Sequence, residues 1–136
     1  MKVTLLSIIV ADQDRALAMY RDTLGFVLKD DLATGPPGAP RWITLESPEV
    51  PGGTRISLEP NAFPFVAEYQ KALKNNGVPL TAFAVVDIDA EHARLTEAGV
   101  AFKSPPSAGG DGAPRMAVFD DQCGNWIMLY EEKADG

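Results

Sequence analysis

Glu59 is the side chain in this sequence best suited to act on a small molecule. It closes the stretch TRISLE, Thr54 to Glu59, in which Ser57 and Glu59 share one side of an extended run. Ile56 and Leu58 take the other side. A carboxylate on a partly apolar face seeks a partner, because burying it alone is costly. It can accept a hydrogen bond from a ligand or act as a base toward one. Arg55 lies on the same face and is a candidate partner. The plainer alternative puts Glu59 in water at the strand's end, just before Pro60.

The other reactive types are poorly supported. His92, the single histidine, falls three residues before Leu95 on a helical stretch, at the edge of its buried face. There it is a packing residue rather than a base. Cys123, the single cysteine, sits in the turn DDQCGN with no histidine near it in sequence. A thiol nucleophile needs such a partner. Asp120 and Asp121 shape that same turn. The run GPPGAP, Gly35 to Pro40, has neither the lysine nor the following helix of a phosphate-binding loop. Trp42 and Trp126 occupy similar places in the two halves of the chain, where they either sandwich a flat, apolar ligand or pack in a core.

Composition narrows the classes further. The chain has 136 residues, 46% of them hydrophobic and 23% charged, which suits one soluble domain spanning 1–136. Twelve basic against 19 acidic residues leave a net charge of −7. No basic run interleaves with aromatics, so nucleic acid is not an expected partner. No stretch approaches the ~18 apolar residues of a membrane span. The apolar run Val3 to Ala11 is followed at once by Asp12, Asp14 and Arg15, which reads as a buried strand rather than a secretion signal. One cysteine excludes an internal disulfide, and a cytoplasmic setting is expected.

The elements that must position these residues come in duplicate. VADQDRALAMYRDTLGFVLK, Val10 to Lys29, is matched by VVDIDAEHARLTEAGVAFKS, Val85 to Ser104. Their glycines, Gly25 and Gly99, stand 99 − 25 = 74 residues apart. RWITL precedes RMAVF by 74 residues, and TRISLE precedes NWIMLY by 71. Such a period means two copies of one supersecondary unit. Each reads as strand, helix and three strands. In the first, Val3–Val10 is a strand, Asp12 or Asp14 caps a helix carrying Leu17, Tyr20 and Leu24, and Gly25 ends it. Strands follow near 26–31, 42–46 and 54–59. The second copy predicts strands near 80–86, 100–104, 115–119 and 125–131, with a helix over 90–98. Module one thus covers about 1–60 and module two about 79–131, joined by a helix within about 61–78. The fold class is α+β: two tandem βαβββ modules forming a curved mixed sheet around one cavity.

Alternation along the strands divides the sheet residues in two. Leu6, Ile8, Ile43, Leu45, Ile56, Leu58, Ala117, Phe119, Ile127 and Leu129 form a wholly apolar set that should face the helices. The mixed set comprises Ser7, Trp42, Thr44, Ser57, Glu59, Thr81, Phe83, Met116, Trp126, Met128 and Tyr130, together with Leu5 and Val118. Aromatics and methionines with a few hydroxyls suit a ligand cavity. A second core face is the competing reading.

The two repeats, and the closing FDDQCGNWIMLYE, resemble the vicinal oxygen chelate superfamily of glyoxalase I, bleomycin resistance proteins and extradiol dioxygenases. The resemblance runs along nearly the whole chain. Metal-dependent members carry ligands at four strand positions, which fall here on Leu5, Ser57, Thr81 and Met128. None is a strong donor for a divalent ion, so no metal and no other cofactor is expected. A shift of two residues on one strand would bring in Glu59, still a single carboxylate. The resemblance implies a metal-free binding protein of the bleomycin-resistance type that sequesters or carries a partly apolar small molecule. The alternatives are a lyase, isomerase or dioxygenase that is metal-independent or holds ligands elsewhere, and a structural protein with a filled cavity. It also implies a homodimer, consistent with open sheet edges that need covering.

Overall fold

A computed structural model describes residues 1–133. The chain divides into two compact units, with the boundary after Gln70. The first begins with β1 (Leu5–Val10) and α1 (Gln13–Leu17), followed by β2 (Val27–Ala33), β3 (Arg41–Glu46) and β4 (Arg55–Pro60). Its sheet has the order β1-β4-β3-β2, with β1 parallel to β4 and the other pairs antiparallel. The second contains β5 (Thr81–Val85), α3 (Ile88–Glu97), β6 (Met116–Asp120) and β7 (Trp126–Glu131). It repeats the pattern as β5-β7-β6, with β5 parallel to β7. The helix α2 (Pro64–Asn75) crosses the boundary, where the sequence places a connecting helix. The fold is therefore α+β, with one mixed sheet in each unit. No helix among the described residues is long and apolar enough to cross a membrane.

Matching aspartates start the two repeats' helices. Asp12 accepts from the Arg15 amide at 3.0 Å, and Asp87 from the Ala90 amide at 3.0 Å. Each satisfies a backbone donor that the first helical turn leaves unpaired. In the first unit the helix then widens into a π-type turn over Ala18–Thr23, where plain helical spacing of Leu17, Tyr20 and Leu24 was expected. The widening lets Met19 and Tyr20 both turn inward, at 4% and 0% exposure, while Leu24 is only half-buried. Gly25 closes the turn at φ +91°, a conformation that costs a side-chain-bearing residue.

The apolar side of the first sheet buries Ile8, Ile43, Leu45, Ile56 and Leu58 with Ala16, Leu17, Met19 and Tyr20. Leu6 shares that side but lies at the start of an edge strand and stays 54% exposed. Gln13 ties α1 to the sheet. Its amide donates to the carbonyls of Arg41 and Leu58, both at 2.8 Å, and accepts from the Arg41 amide at 2.9 Å. In the second unit the corresponding core is Ile88, Leu95, Val100, Ala117, Phe119, Ile127 and Leu129.

One predicted strand is absent. Residues 100–104 form only an isolated bridge, Phe102 to Phe119, flanked by bonds from Lys103 N to Val118 O and from Asp120 N to Ala101 O, each 2.9 Å. Pro105 and Pro106 follow directly and carry no amide hydrogen with which to extend the ladder. The second sheet consequently has three strands where the first has four.

Candidate functional site

The mixed face of the first sheet carries a row of polar side chains that crosses all four strands. Strand pairing sets Ser7 beside Ser57, Ser57 beside Thr44 and Thr44 beside Asp30. A register shift between Leu28 and Asp30 brings the aspartate into line. Ser57 Oγ lies 3.0 Å from Glu59 Oε1 and 3.4 Å from Ser7 Oγ. At the other end, Thr44 Oγ1 donates to Asp30 Oδ2 at 2.7 Å. Thr44 and Ser57 are each 1% exposed, and their hydroxyls are satisfied within the row. Glu59 is half-buried.

Arg55 does not pair with Glu59, as the sequence allowed. Its guanidinium reaches Asp30 at 3.3 Å and Glu46 at 3.6 Å. The reason is position: Arg55 pairs across β3 with Glu46, one row from Asp30, while Glu59 lies at the other end of β4. Glu46, 8% exposed, also accepts from the Gly52 amide at 3.1 Å and so anchors the β3–β4 loop. Beside this network runs an open groove of about 330 Å³ lined by Leu5, Asp30, Trp42, Thr44, Arg55 and the Gly52–Gly53 turn. Trp42 is 39% exposed there, which leaves part of its ring open to a ligand.

In the second unit Met116, Val118, Trp126, Met128 and Tyr130 do share one face, since Met116 pairs with Tyr130, Val118 with Met128 and Asp120 with Trp126. Thr81 and Phe83 do not. They register with Ile127 and Leu129 on the apolar side, and Ala82 and Ala84 stand beside Met128 and Tyr130 instead. The capping aspartates are 87 − 12 = 75 residues apart against 74 for the glycines, so β5 stands one residue out of phase with the glycine spacing. One residue of slip reverses every side chain in a strand. Trp126 is already engaged. Its indole N–H donates to the Lys74 carbonyl at 3.0 Å, and Lys74 Nζ stands 3.8 Å from the ring centroid while pairing with Asp120 at 3.0 Å. Tyr130 borders a separate cleft of about 410 Å³ with Gly112, Pro114 and residues 131–133.

His92 packs its ring 4.4 Å from that of Phe102, as a structural residue would. Cys123 is buried in the turn before β7. Asp121 organises that turn by accepting from the amides of Cys123 and Asn125 and from the Asn125 side chain, at 2.8, 3.0 and 2.8 Å. At the surface, hydrogen bonds from Arg115 hold the Asp89 carboxyl below its ordinary value. This pair favours the folded state when Asp89 is ionised, and the contribution is lost as pH falls through the lowered value.

The residues at the expected ligand positions do not fit a divalent metal. Leu5 and Met128 offer no hard donor, the Ser57 hydroxyl is committed to Glu59, and Thr81 lies on the opposite face. Among the described residues, no three His, Cys, Asp or Glu side chains converge as a metal requires.

Two repeated units, each with a parallel outer pair of strands and a capped helix, define a class of fold. The sequence model of the Glyoxalase/Bleomycin resistance protein/Dioxygenase superfamily matches residues 2–129, and the chain belongs to that superfamily. It is 46% identical over 132 residues to YurT of Bacillus subtilis (strain 168), an alignment covering 97% of this chain and all of that protein. Among solved structures it is similar to UcmS2, with 27% identity and a TM-score of 0.80 over 96% of this chain and 97% of the other. It is also similar to TnmS3, an antibiotic binding protein from Streptomyces sp. CB03234, with 30% identity and a TM-score of 0.71 over 98% and 97% of the two chains.

Proposed function

We propose that the protein binds a partly apolar small molecule without a metal, and so sequesters or carries it, with the groove beside Trp42 as the receiving site. One observation carries this reading. The exposed Trp42 ring borders a groove that also takes in the hydrogen-bonded pair Thr44 and Asp30, on a face with no set of metal donors among the described residues. The likeness to an antibiotic binding protein supports it. In this reading Ser7, Trp42, Thr44, Ser57 and Glu59 form or support the ligand surface, and the whole chain acts as one domain. The test is to identify by mass spectrometry the molecule retained through purification and then to titrate it against Glu59→Gln. The substitution keeps the shape and removes the charge. We expect affinity to fall by about 1 kcal/mol or more, roughly fivefold, the scale of a lost hydrogen bond to a charged group. Unchanged affinity would remove Glu59 from the site.

A second reading is favoured by Glu59 itself. Ser57 is hydrogen-bonded to only one of its oxygens, Oε1, which leaves Oε2 to act as a base. An enzyme would convert the retained molecule on incubation and lose that conversion in Glu59→Gln; a binder would return it unchanged. We further propose a cytoplasmic homodimer. Sedimentation should give twice the chain mass, and a monomer at high micromolar concentration would reject it.

A further inference from the structure

From the unspent hydrogen-bonding atoms in the groove beside Trp42, we infer that the ligand presents a neutral amide-type head group, a carbonyl oxygen with an N–H beside it, on an apolar body. The inference rests on the groove being the ligand site and concerns what that site selects. The turn bordering the groove has no amide to offer. Gly52 N–H donates to Glu46 at 3.1 Å and Gly53 N–H to the Val50 carbonyl at 2.9 Å. The Thr44 hydroxyl gives its proton to Asp30, since an ionised carboxylate only accepts. The Thr4 hydroxyl can donate or accept, so it does not discriminate. Selection therefore falls to Asp30, Arg55 and Trp42.

Asp30 and Arg55 meet through a single pair of atoms. Arg55 Nη1 donates to Asp30 Oδ2 at 3.3 Å, and the same oxygen receives Thr44 at 2.7 Å. Arg55 Nε faces Glu46 at 3.6 Å. Among the described residues, Arg55 Nη2 and Asp30 Oδ1 have no protein partner. Both residues are half-buried, and no side-chain nitrogen or oxygen of such residues is at once buried and unpartnered. Nη2 and Oδ1 are therefore open to solvent, a donor and an acceptor on adjoining side chains of one groove. The Trp42 indole N–H also has no protein partner among the described residues and is a second donor.

The charges of the lining cancel, one guanidinium against one carboxylate, 1 − 1 = 0. An ion of either sign would give up hydration for no net attraction. A carboxylate would enter beside Asp30, and an ammonium beside Arg55. A neutral amide avoids that cost. Its oxygen accepts from Arg55 or Trp42, its N–H donates to Asp30 Oδ1, and its apolar body lies along Leu5 and the Trp42 ring.

The probes are 3-phenylpropanamide, methyl 3-phenylpropionate, 3-phenylpropionate and 3-phenylpropylammonium, which share a ring and differ in the head group. Binding is read by NMR from the Trp42 indole resonance and the amides of β3 and β4. The amide should bind at least roughly fivefold more tightly than the ester, which has the oxygen without the N–H, the scale of one hydrogen bond. Both ions should bind more weakly than the amide. The amide's affinity should hold as salt rises toward 1 M, because a neutral ligand has no charge to screen. Asp30→Asn removes the acceptor charge and leaves the lining positive, so the carboxylate should gain on the amide. An ester or an ion that binds as tightly as the amide at these resonances would overturn the inferred class and leave the groove as a ligand site. If none of the four shifts the Trp42 resonance, both the class and the site fall. The ranking in the unaltered protein decides the matter even if Asp30→Asn does not fold.

Discussion

Asp121→Ala should destabilise the protein by roughly 3–5 kcal/mol, the scale on which loss of one partner in a buried charged network is felt. Asp121 is 0% exposed and accepts three hydrogen bonds within five residues of chain, from the amides of Cys123 and Asn125 and the side chain of Asn125. Alanine leaves those donors buried with nothing to receive them. Asp121→Asn is the sharper control. It preserves shape, but its amide NH₂ must face at least one N–H donor, so it should recover only part of the loss. Chemical denaturation measures both, and a midpoint within error of the unaltered protein for Asp121→Ala would show that the turn before β7 relaxes freely. The consequence extends to the site, because this turn sets where β7 begins and with it the placement of Trp126, Met128 and Tyr130.

Trp42→Ala should have the opposite profile. The ring is 39% exposed beside the groove, so its removal should lower ligand affinity by about 2 kcal/mol or more, some thirtyfold, as for a central aromatic contact. The stability loss should be smaller than that of Asp121→Ala. Because Trp126 is the only other tryptophan and is covered by Lys74, Trp42→Phe should remove most of the ligand-induced change in tryptophan fluorescence, and Trp126→Phe little of it. If Trp126→Phe abolished that change, the assignment of the two rings would be reversed.

Much of this arrangement was legible in the sequence, for reasons tied to particular residues. Asp12 and Asp87 each precede an amphipathic run, and both prove to be helix caps. The alternation of Ile43, Leu45, Ile56 and Leu58 against Trp42, Thr44, Ser57 and Glu59 follows from the pleat of a strand and survives in the structure. The same period contained a signal that was passed over: Glu46 lies two residues beyond Thr44 and belongs to the same face. Asp30 was hidden, because a register shift next to it breaks the alternation from which it would have been read. Thr81 and Phe83 were misplaced for a different reason. Their strand, TAFAV, has no strongly alternating pattern of polar against apolar residues, so alternation alone does not fix its phase. The partner of Arg55 depended on which row of the sheet each carboxylate occupies, and only strand pairing determines that.

The central claim is that this member of the superfamily holds a small organic molecule and no metal. Native mass spectrometry of the purified protein, with elemental analysis of the same sample, tests it most directly. The account predicts an added mass of one organic molecule per site, released on denaturation, and no stoichiometric transition metal. About one equivalent of zinc, iron, manganese or nickel per chain, surviving brief chelation, would contradict it.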